Sequence, residues 1–201
     1  MHILQFYILN FLPPVAVPHP AVALKVLYDL NDDDTCTMAR RGSGSACRSM
    51  FGGCVRWSPQ PSASTSIRSL PAVSNHRSIV EQLFPETHWP ELRIIICVTD
   101  RRNKMMPSTY GMKQTVATSF LYNSGRAICA EARATKVEHA LKERDFHSLA
   151  KLVMRDSNQL AALCMDTWPP CLYLSPASFD FIRWVHAVNT NLGRTAVIHT
   201  F

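Results

Sequence analysis

Apolar and polar positions follow two rhythms along this chain, one of period 3.6 and one of period 2, and together they predict its elements. From Ala21 the residues Val22, Leu24, Val26, Leu27 and Leu30 recur at helical spacing, and the acidic run Asn31 to Asp34 closes them, which predicts an amphipathic helix. Cys54-Val55-Arg56-Trp57 alternates behind Gly52-Gly53 in the manner of a half-buried strand. Leu92 to Val98 is instead a continuous, isoleucine-rich run, the pattern of a strand buried on both faces. Between Thr115 and Ala162 the residues Ile128, Ala132, Val137 and Leu141, then Leu149, Leu152 and Val153, are spaced for helices whose apolar stripes belong to a core. Phe179 to Val188 repeats the pattern, Gly193 stops it, and Thr195 to Phe201 is predicted as a final strand. Residues 58–78, SPQPSASTSIRSLPAVSNHRS, are rich in Ser and Pro without either period and read as a surface loop or linker. This mixture of strands and helices predicts an α+β fold.

The amino terminus stands apart. Ile3 to Leu12 is apolar except for Gln5 and Asn10 and is followed by Pro13, Pro14, Pro18 and Pro20, so it reads as a buried strand or a disordered end. A secretory signal core is the alternative. Against it, no Lys or Arg precedes Lys25, and the run is far short of the roughly 20 residues that span a bilayer.

Composition narrows the function. With 201 residues, 47% hydrophobic and 18% charged, the chain can bury the core of one large domain or two small ones. Its net charge of +6 suits an anionic partner, but the basic residues are scattered and no aromatic-interleaved basic tract occurs, so a phosphorylated small molecule fits and a nucleic acid is not expected. The seven cysteines contain no CxxC pair and leave an odd one over, which excludes a disulfide framework or zinc site and places reduced, structural thiols in a cytoplasmic setting. Cys97, inside the isoleucine run, is expected to be buried. None of the eight histidines forms an HxxxH or HExxH pair, so no metal site is expected.

Candidate chemistry concentrates in residues 39–57, ARRGSGSACRSMFGGCVRW. Gly42 and Gly44 let the backbone turn and approach a ligand, Ser43 and Ser45 offer hydroxyl donors to phosphate oxygens, and Arg48 presents a planar fork matched to carboxylate or phosphate. As a bare pattern GSGS reads equally as a flexible connection. It lacks the strand, elbow and helix order that a nucleophilic serine requires.

Taken whole, that block resembles the signature of the mevalonate diphosphate decarboxylases, ATP-dependent enzymes of the GHMP kinase superfamily. HWPELRIIICV at 88–98, PSTYGM at 107–112, LKERDF at 141–146, DSNQ at 156–159 and MDTWPPCLYL at 165–174 resemble the same family in the same order. The resemblance covers roughly residues 21–201. It implies a GHMP-kinase-like two-domain α/β sandwich, incomplete here: a divergent apolar and Pro-rich end at 1–20, a remnant of the amino-terminal domain at 21–85 and a carboxy-terminal domain at 86–201 lacking its final segment. It also implies decarboxylation of mevalonate 5-diphosphate to isopentenyl diphosphate at the expense of ATP with Mg²⁺. The implied substrate contacts are Ser43, Gly44, Ser45, Ala46, Cys47, Arg48 and Thr109. Arg48 is the implied catalytic residue on the departing carboxylate, and Thr109 the implied diphosphate contact. Without the resemblance, Thr109 reads as a helix cap. Ser157 and Asn158 are expected to support the site rather than touch substrate.

The chain also departs from the family's pattern. Where the family carries a Gly, Ala and Ser-rich phosphate loop, residues 14–24 read PVAVPHPAVAL, and proline has no amide to donate. The family's early Tyr-Trp-Gly-Lys motif is missing, and its catalytic aspartate is expected just beyond TAVIHTF. Binding of ATP by this chain is therefore in question, and the alternative function is that of an inactive variant that binds or dimerises. The expected partner is a small-molecule diphosphate, with no nucleic acid or membrane and with a homodimer by family analogy.

Overall fold

The computed structural model describes residues 8–10, 20–42, 46–59, 78–101 and 105–200. The chain divides into two units between Ile94 and Ile95. Helices and one small sheet make it α+β, the incomplete version of the expected class.

In the first unit, β1 (Ile8–Asn10), β2 (Gly53–Pro59) and β3 (Ser78–Phe84) form an antiparallel sheet in the order β1-β2-β3. Val55 pairs with Ile8 on one side and with Gln82 on the other, and a bulge lies between Cys54 and Val55. Gly53 opens β2 at φ +67°, where an added Cβ would stand 2.2 Å from the Phe84 carbonyl oxygen, so the turn and the close approach both require glycine. β3 starts at the last residue of the stretch expected to be a loop; residues 60–77 of that stretch lie outside the described residues.

α1 (Pro20–Tyr28) is the predicted helix, but its expected stripe is not a core face. Val26, Leu27 and Tyr28 are exposed and the small Ala21 is buried, because the neighbouring core is built from alanines. Asp29 at φ +49° breaks the helix and lets the Leu30 N–H reach the Lys25 carbonyl at 3.0 Å. The acidic run then opens a second helix: the Asn31 side chain accepts from the Asp34 N–H at 2.8 Å and caps α2 (Asp32–Gly42).

The second unit is helical. α3 (Ser108–Thr118) leads through a π-helical turn (Tyr122–Arg126) into α4 (Ala127–Lys142), α5 (Phe146–Asp166) and α6 (Pro176–Asn191). Both α3 and α4 pack on α5. The core comprises Ala134, Val137, Ala140 and Leu141 of α4 with Leu149, Ala150 and Leu163 of α5. Arg144 at φ +53° terminates α4 by sending the Asp145 N–H to the Ala140 carbonyl at 2.9 Å, and the Asp145 side chain at once caps α5 through the Ser148 N–H at 3.0 Å. Those bonds hold the Asp145 carboxyl below its usual range, chiefly through Ser148.

α6 begins with a capping box in which Ser175 accepts from the Ser178 N–H and the Ser178 side chain returns to Ser175, with Pro176 behind it. Ser175→Ala is expected to cost about 1 kcal/mol, read as a fall of a few degrees in the melting midpoint. An unchanged midpoint would show that the box contributes nothing to stability.

Two predicted strands are absent from the described structure. Residues 92–98 are irregular, and Ile94, Ile95, Ile96 and Val98 are 56%, 84%, 81% and 67% exposed. An apolar run reports a capacity for burial, whereas a strand also needs a partner ladder, which these residues lack among the described elements. Cys97 is exposed with them, contrary to expectation. Residues 195–200 are likewise irregular and bond to side chains instead of to a strand. The expectation for residues 1–7 and 11–19 falls outside the described residues.

Candidate functional site

The site implied by the 39–57 block is assembled by α2, the 3-10 helix Ala46–Met50 and β2. α2 turns Thr35, Cys36 and Ala39 inward, and Ala39 meets Ala21 of α1 and Ala46 in a small alanine core that Met50 covers. Such short side chains let backbones approach closely, so the 3-10 turn lies directly on α2. The Cys36 thiol reaches the Cys47 carbonyl at 3.7 Å, and Cys47 is 1% exposed. Burial fixes Ala46 and Cys47, and Arg48 follows them at the centre of a turn that Gly52 and Gly53 join to β2. Ala46, Cys47 and Arg48 are thus brought together on one element; Ser43, Gly44 and Ser45 lie outside the described residues.

Thr109 belongs to the other unit, in the first turn of α3, and is exposed. It does not cap the helix, because Pro107 holds that position without a side-chain bond. Its motif neighbour Gly111 has a packing reason: an added Cβ there would stand 2.2 Å from the Tyr173 hydroxyl oxygen and 3.4 Å from the Cys171 sulfur. Further along α3, the Thr115 and Thr167 hydroxyls lie 2.8 Å apart and the Trp168 N–H donates to Thr118 at 2.9 Å. The Asp166 carboxylate accepts from the Leu121 N–H at 2.9 Å and from the Ser119 hydroxyl at 2.7 Å. Those two donors hold its pKa below the usual carboxylate range, the Leu121 amide first. This brace ties the end of α3 to the end of α5, and periodicity gives no sign of it, since its partners are 45 to 50 residues apart.

A second polar cluster also escapes a reading by motif. Arg126, 2% exposed, donates from Nη1 to Asp156 at 2.7 Å and from Nη2 to the other carboxylate oxygen at 3.2 Å, and Arg133 of α4 donates to the same Asp156. Gln159 accepts from both arginines. Asp156 and Gln159 of the DSNQ motif therefore join α5 to α4 and to the π-helical turn. Ser157 is buried at 2% and Asn158 is exposed.

Other chemistry is poorly served. Burial pushes the Cys54 thiol up to about 11 and, with a smaller push from Cys171, the Cys164 thiol to about 11, so neither is a nucleophile at neutral pH. A recess of about 170 Å³ between the end of α5 and the start of α6 is lined by Cys164, Cys171, Leu172, Leu174 and Phe179, and it offers no charged group to a diphosphate. Among the described residues no three His, Cys, Asp or Glu side chains converge on a metal position, and no helix is long and apolar enough to cross a membrane. Among the described residues, α1 opens on Pro20, which has no N–H to donate to a phosphate.

Comparison with known proteins accounts for the order of these motifs. Residues 94–201 match the mevalonate 5-diphosphate decarboxylase C-terminal domain, and residues 19–68 match the diphosphomevalonate decarboxylase-like N-terminal domain. The Homo sapiens diphosphomevalonate decarboxylase is 42% identical over 170 residues, which is 85% of this chain and 40% of that protein. The chain thus spans about two fifths of the curated relatives' length. A crystal structure of mevalonate 5-diphosphate decarboxylase superposes with a TM-score of 0.74 at 34% identity, covering 90% of this chain and 44% of the other. The Enterococcus faecalis mevalonate diphosphate decarboxylase, described for ATP binding mediated by mevalonate diphosphate, gives 0.62 at 26% identity over 85% of this chain and 47% of its own. Two domain matches in their proper order, the second over more than half of the residues, make this chain a member of the mevalonate 5-diphosphate decarboxylase family.

Proposed function

We propose that the chain carries substrate-side machinery for the ATP-dependent decarboxylation of mevalonate 5-diphosphate to isopentenyl diphosphate. The observation that carries this reading is the position of Arg48, on a turn pinned by buried Ala46 and Cys47 within the family's signature block. In the proposed complex the Arg48 guanidinium holds the substrate carboxylate in a planar two-point grip until it departs as carbon dioxide. Ser43, Gly44 and Ser45 offer donors to substrate oxygens, and Thr109 offers its hydroxyl to the diphosphate. A solved relative is described in complex with AMPPCP and magnesium; in this chain α1 opens on Pro20, which has no N–H to offer a phosphate, and no step is derived through the nucleotide. The division at residue 85, the cytoplasmic placement and a homodimer belong to the same proposal.

A second reading, a chain that binds the diphosphate without turning it over, is supported by the opening of α1 on Pro20. Calorimetry with mevalonate diphosphate and with ATP and Mg²⁺ in separate titrations tests both. Under the leading reading mevalonate diphosphate binds, and Arg48→Ala weakens that binding by roughly tenfold to a hundredfold, the worth of hydrogen bonds to a charged partner. Substrate binding indifferent to Arg48→Ala overturns the assignment of the residue. Substrate binding without nucleotide binding favours the second reading, and turnover by the purified chain excludes it.

A further inference from the structure

Among the described residues, the hydrogen bonds of residues 195–200 run to side chains of the helices of the second unit. At the centre, the Asn189 side chain of α6 does the work of a strand partner: its oxygen accepts from the Ala196 and Val197 N–H groups at 2.8 and 3.0 Å, and its amide donates to the Val197 carbonyl at 2.8 Å. At one end, His147 of α5 meets the Thr195 hydroxyl at 2.8 Å. At the other, His199 lies 4% exposed against His186 of α6, with Nε2 atoms 3.3 Å apart and ring centroids 5.3 Å apart in an edge-on arrangement. We propose that the His186–His199 contact is a pH-sensitive clasp that fastens residues 195–200 to α6 at neutral pH and releases them in mild acid.

The chemistry follows from the number of protons the contact can hold. Two imidazoles whose Nε2 atoms face each other share one hydrogen bond, so at least one ring must present a bare nitrogen. When both rings are neutral, one donates and the other accepts. A first proton is tolerated, because one Nε2 stays bare and accepts from the other ring. A second proton is not: two N–H groups then confront each other, two positive charges stand side by side, and one of them is buried. His199 accordingly lies below the ordinary histidine value, first through burial and then through His186. Among the described residues, the other charged or titratable groups bonded to the segment or next to it in sequence are His147 and Arg194; one turn back on α6, Arg183 is engaged with Asp180. Neither His147 nor Arg194 offers a negative charge. The unfolded segment binds the second proton more readily than the fastened one, so the hold is complete above the ordinary histidine range and is lost as pH falls below it.

Hydrogen exchange of the Ala196 and Val197 amides on the full chain tests this. After correction for intrinsic exchange, protection is expected to fall by about tenfold between about pH 7.5 and about pH 5.5, one unit of proton linkage, while the amides of α6 hold steady. His186→Gln removes the neighbouring charge from an exposed position and is expected to reduce that dependence in part, the burial of His199 supplying the remainder. Proton NMR supplies a second readout: the ring signal of His199 is expected to titrate at higher pH in His186→Gln than in the parent. A pH-independent protection of residues 196 and 197, or a pH dependence unchanged in His186→Gln, overturns the proposal.

Discussion

Replacement of Asp156 by alanine is expected to destabilise the helical unit by about 3–5 kcal/mol, lowering its melting midpoint by on the order of 10 °C or more. Among the described residues Asp156 is the carboxylate bonded to both Arg126 and Arg133, and the Arg126 side chain is 2% exposed, so truncation strands a guanidinium that water cannot reach. Arg126 has little in reserve, because its Nε already finds no acceptor among the described residues. Asp156→Asn keeps the volume but loses the charge and turns an amide toward a guanidinium, so it falls between the parent and alanine. Arg133→Gln, at a position whose side chain is 16% exposed, costs less than either. Thermal and urea unfolding rank the three, and an Asp156→Ala chain that melts with the parent would show the cluster to be inconsequential.

Leu141→Ala is expected to cost about 2–5 kcal/mol. Leu141 is fully buried near the end of α4, beside Ala140 and opposite Leu149 and Ala150 at the start of α5. The turn between these helices is three residues long and bonded at both ends, by Asp145 N–H to Ala140 and by Ser148 N–H to Asp145, so the helices have little freedom to close over a void. Leu141→Met, which nearly conserves volume, is expected to cost less than about 1.5 kcal/mol. Ile128→Ala on the same helix, at a residue 77% exposed, is expected to stay within about 0.5 kcal/mol. Equal losses at 128 and 141 would contradict this placement of the core.

The parts of the fold legible in the sequence are those that one helix writes for itself. α4, α5 and α6 form where the spacing predicts, and Val137, Leu141, Leu149 and Val185 are buried, whereas Ile128 and Ala132, expected in the same stripe of α4, are exposed because nothing among the described residues covers them. α1 shows where the rule runs out: the helix forms, yet Val26 and Leu27 face solvent, because periodicity states which residues share a face and not whether anything covers it. β3 was hidden by its setting, since Ser78-Ile79-Val80 emerges from a stretch whose Ser and Pro content speaks for a loop. The reverse happened at residues 92–98, where an apolar run promised a strand without a partner.

The candidate site was legible only as a block. GSGS and Arg48 taken singly are weak patterns; the structure adds only that the backbone beside Arg48 is a 3-10 turn with Ala46 and Cys47 buried. The Arg126, Arg133, Asp156 and Gln159 cluster had no local signal, for its bonds span 23 to 33 residues. Asp156 and Gln159 were visible as members of a motif, but what they do there depends on a helix two elements away.

The exposed isoleucine run has a consequence for the chain as a colloid. Between Arg93 and Asp100 there is no charged side chain and no proline, and three isoleucines and a valine are exposed, with their backbone groups outside the ladders of the described strands. Such a stretch can pair with its own image in a second molecule, and nothing in its side chains penalises the match. The net charge of +6 is then the chief force keeping molecules apart, and dissolved salt screens it. Raising the ionic strength is therefore expected to lower the concentration at which this chain associates.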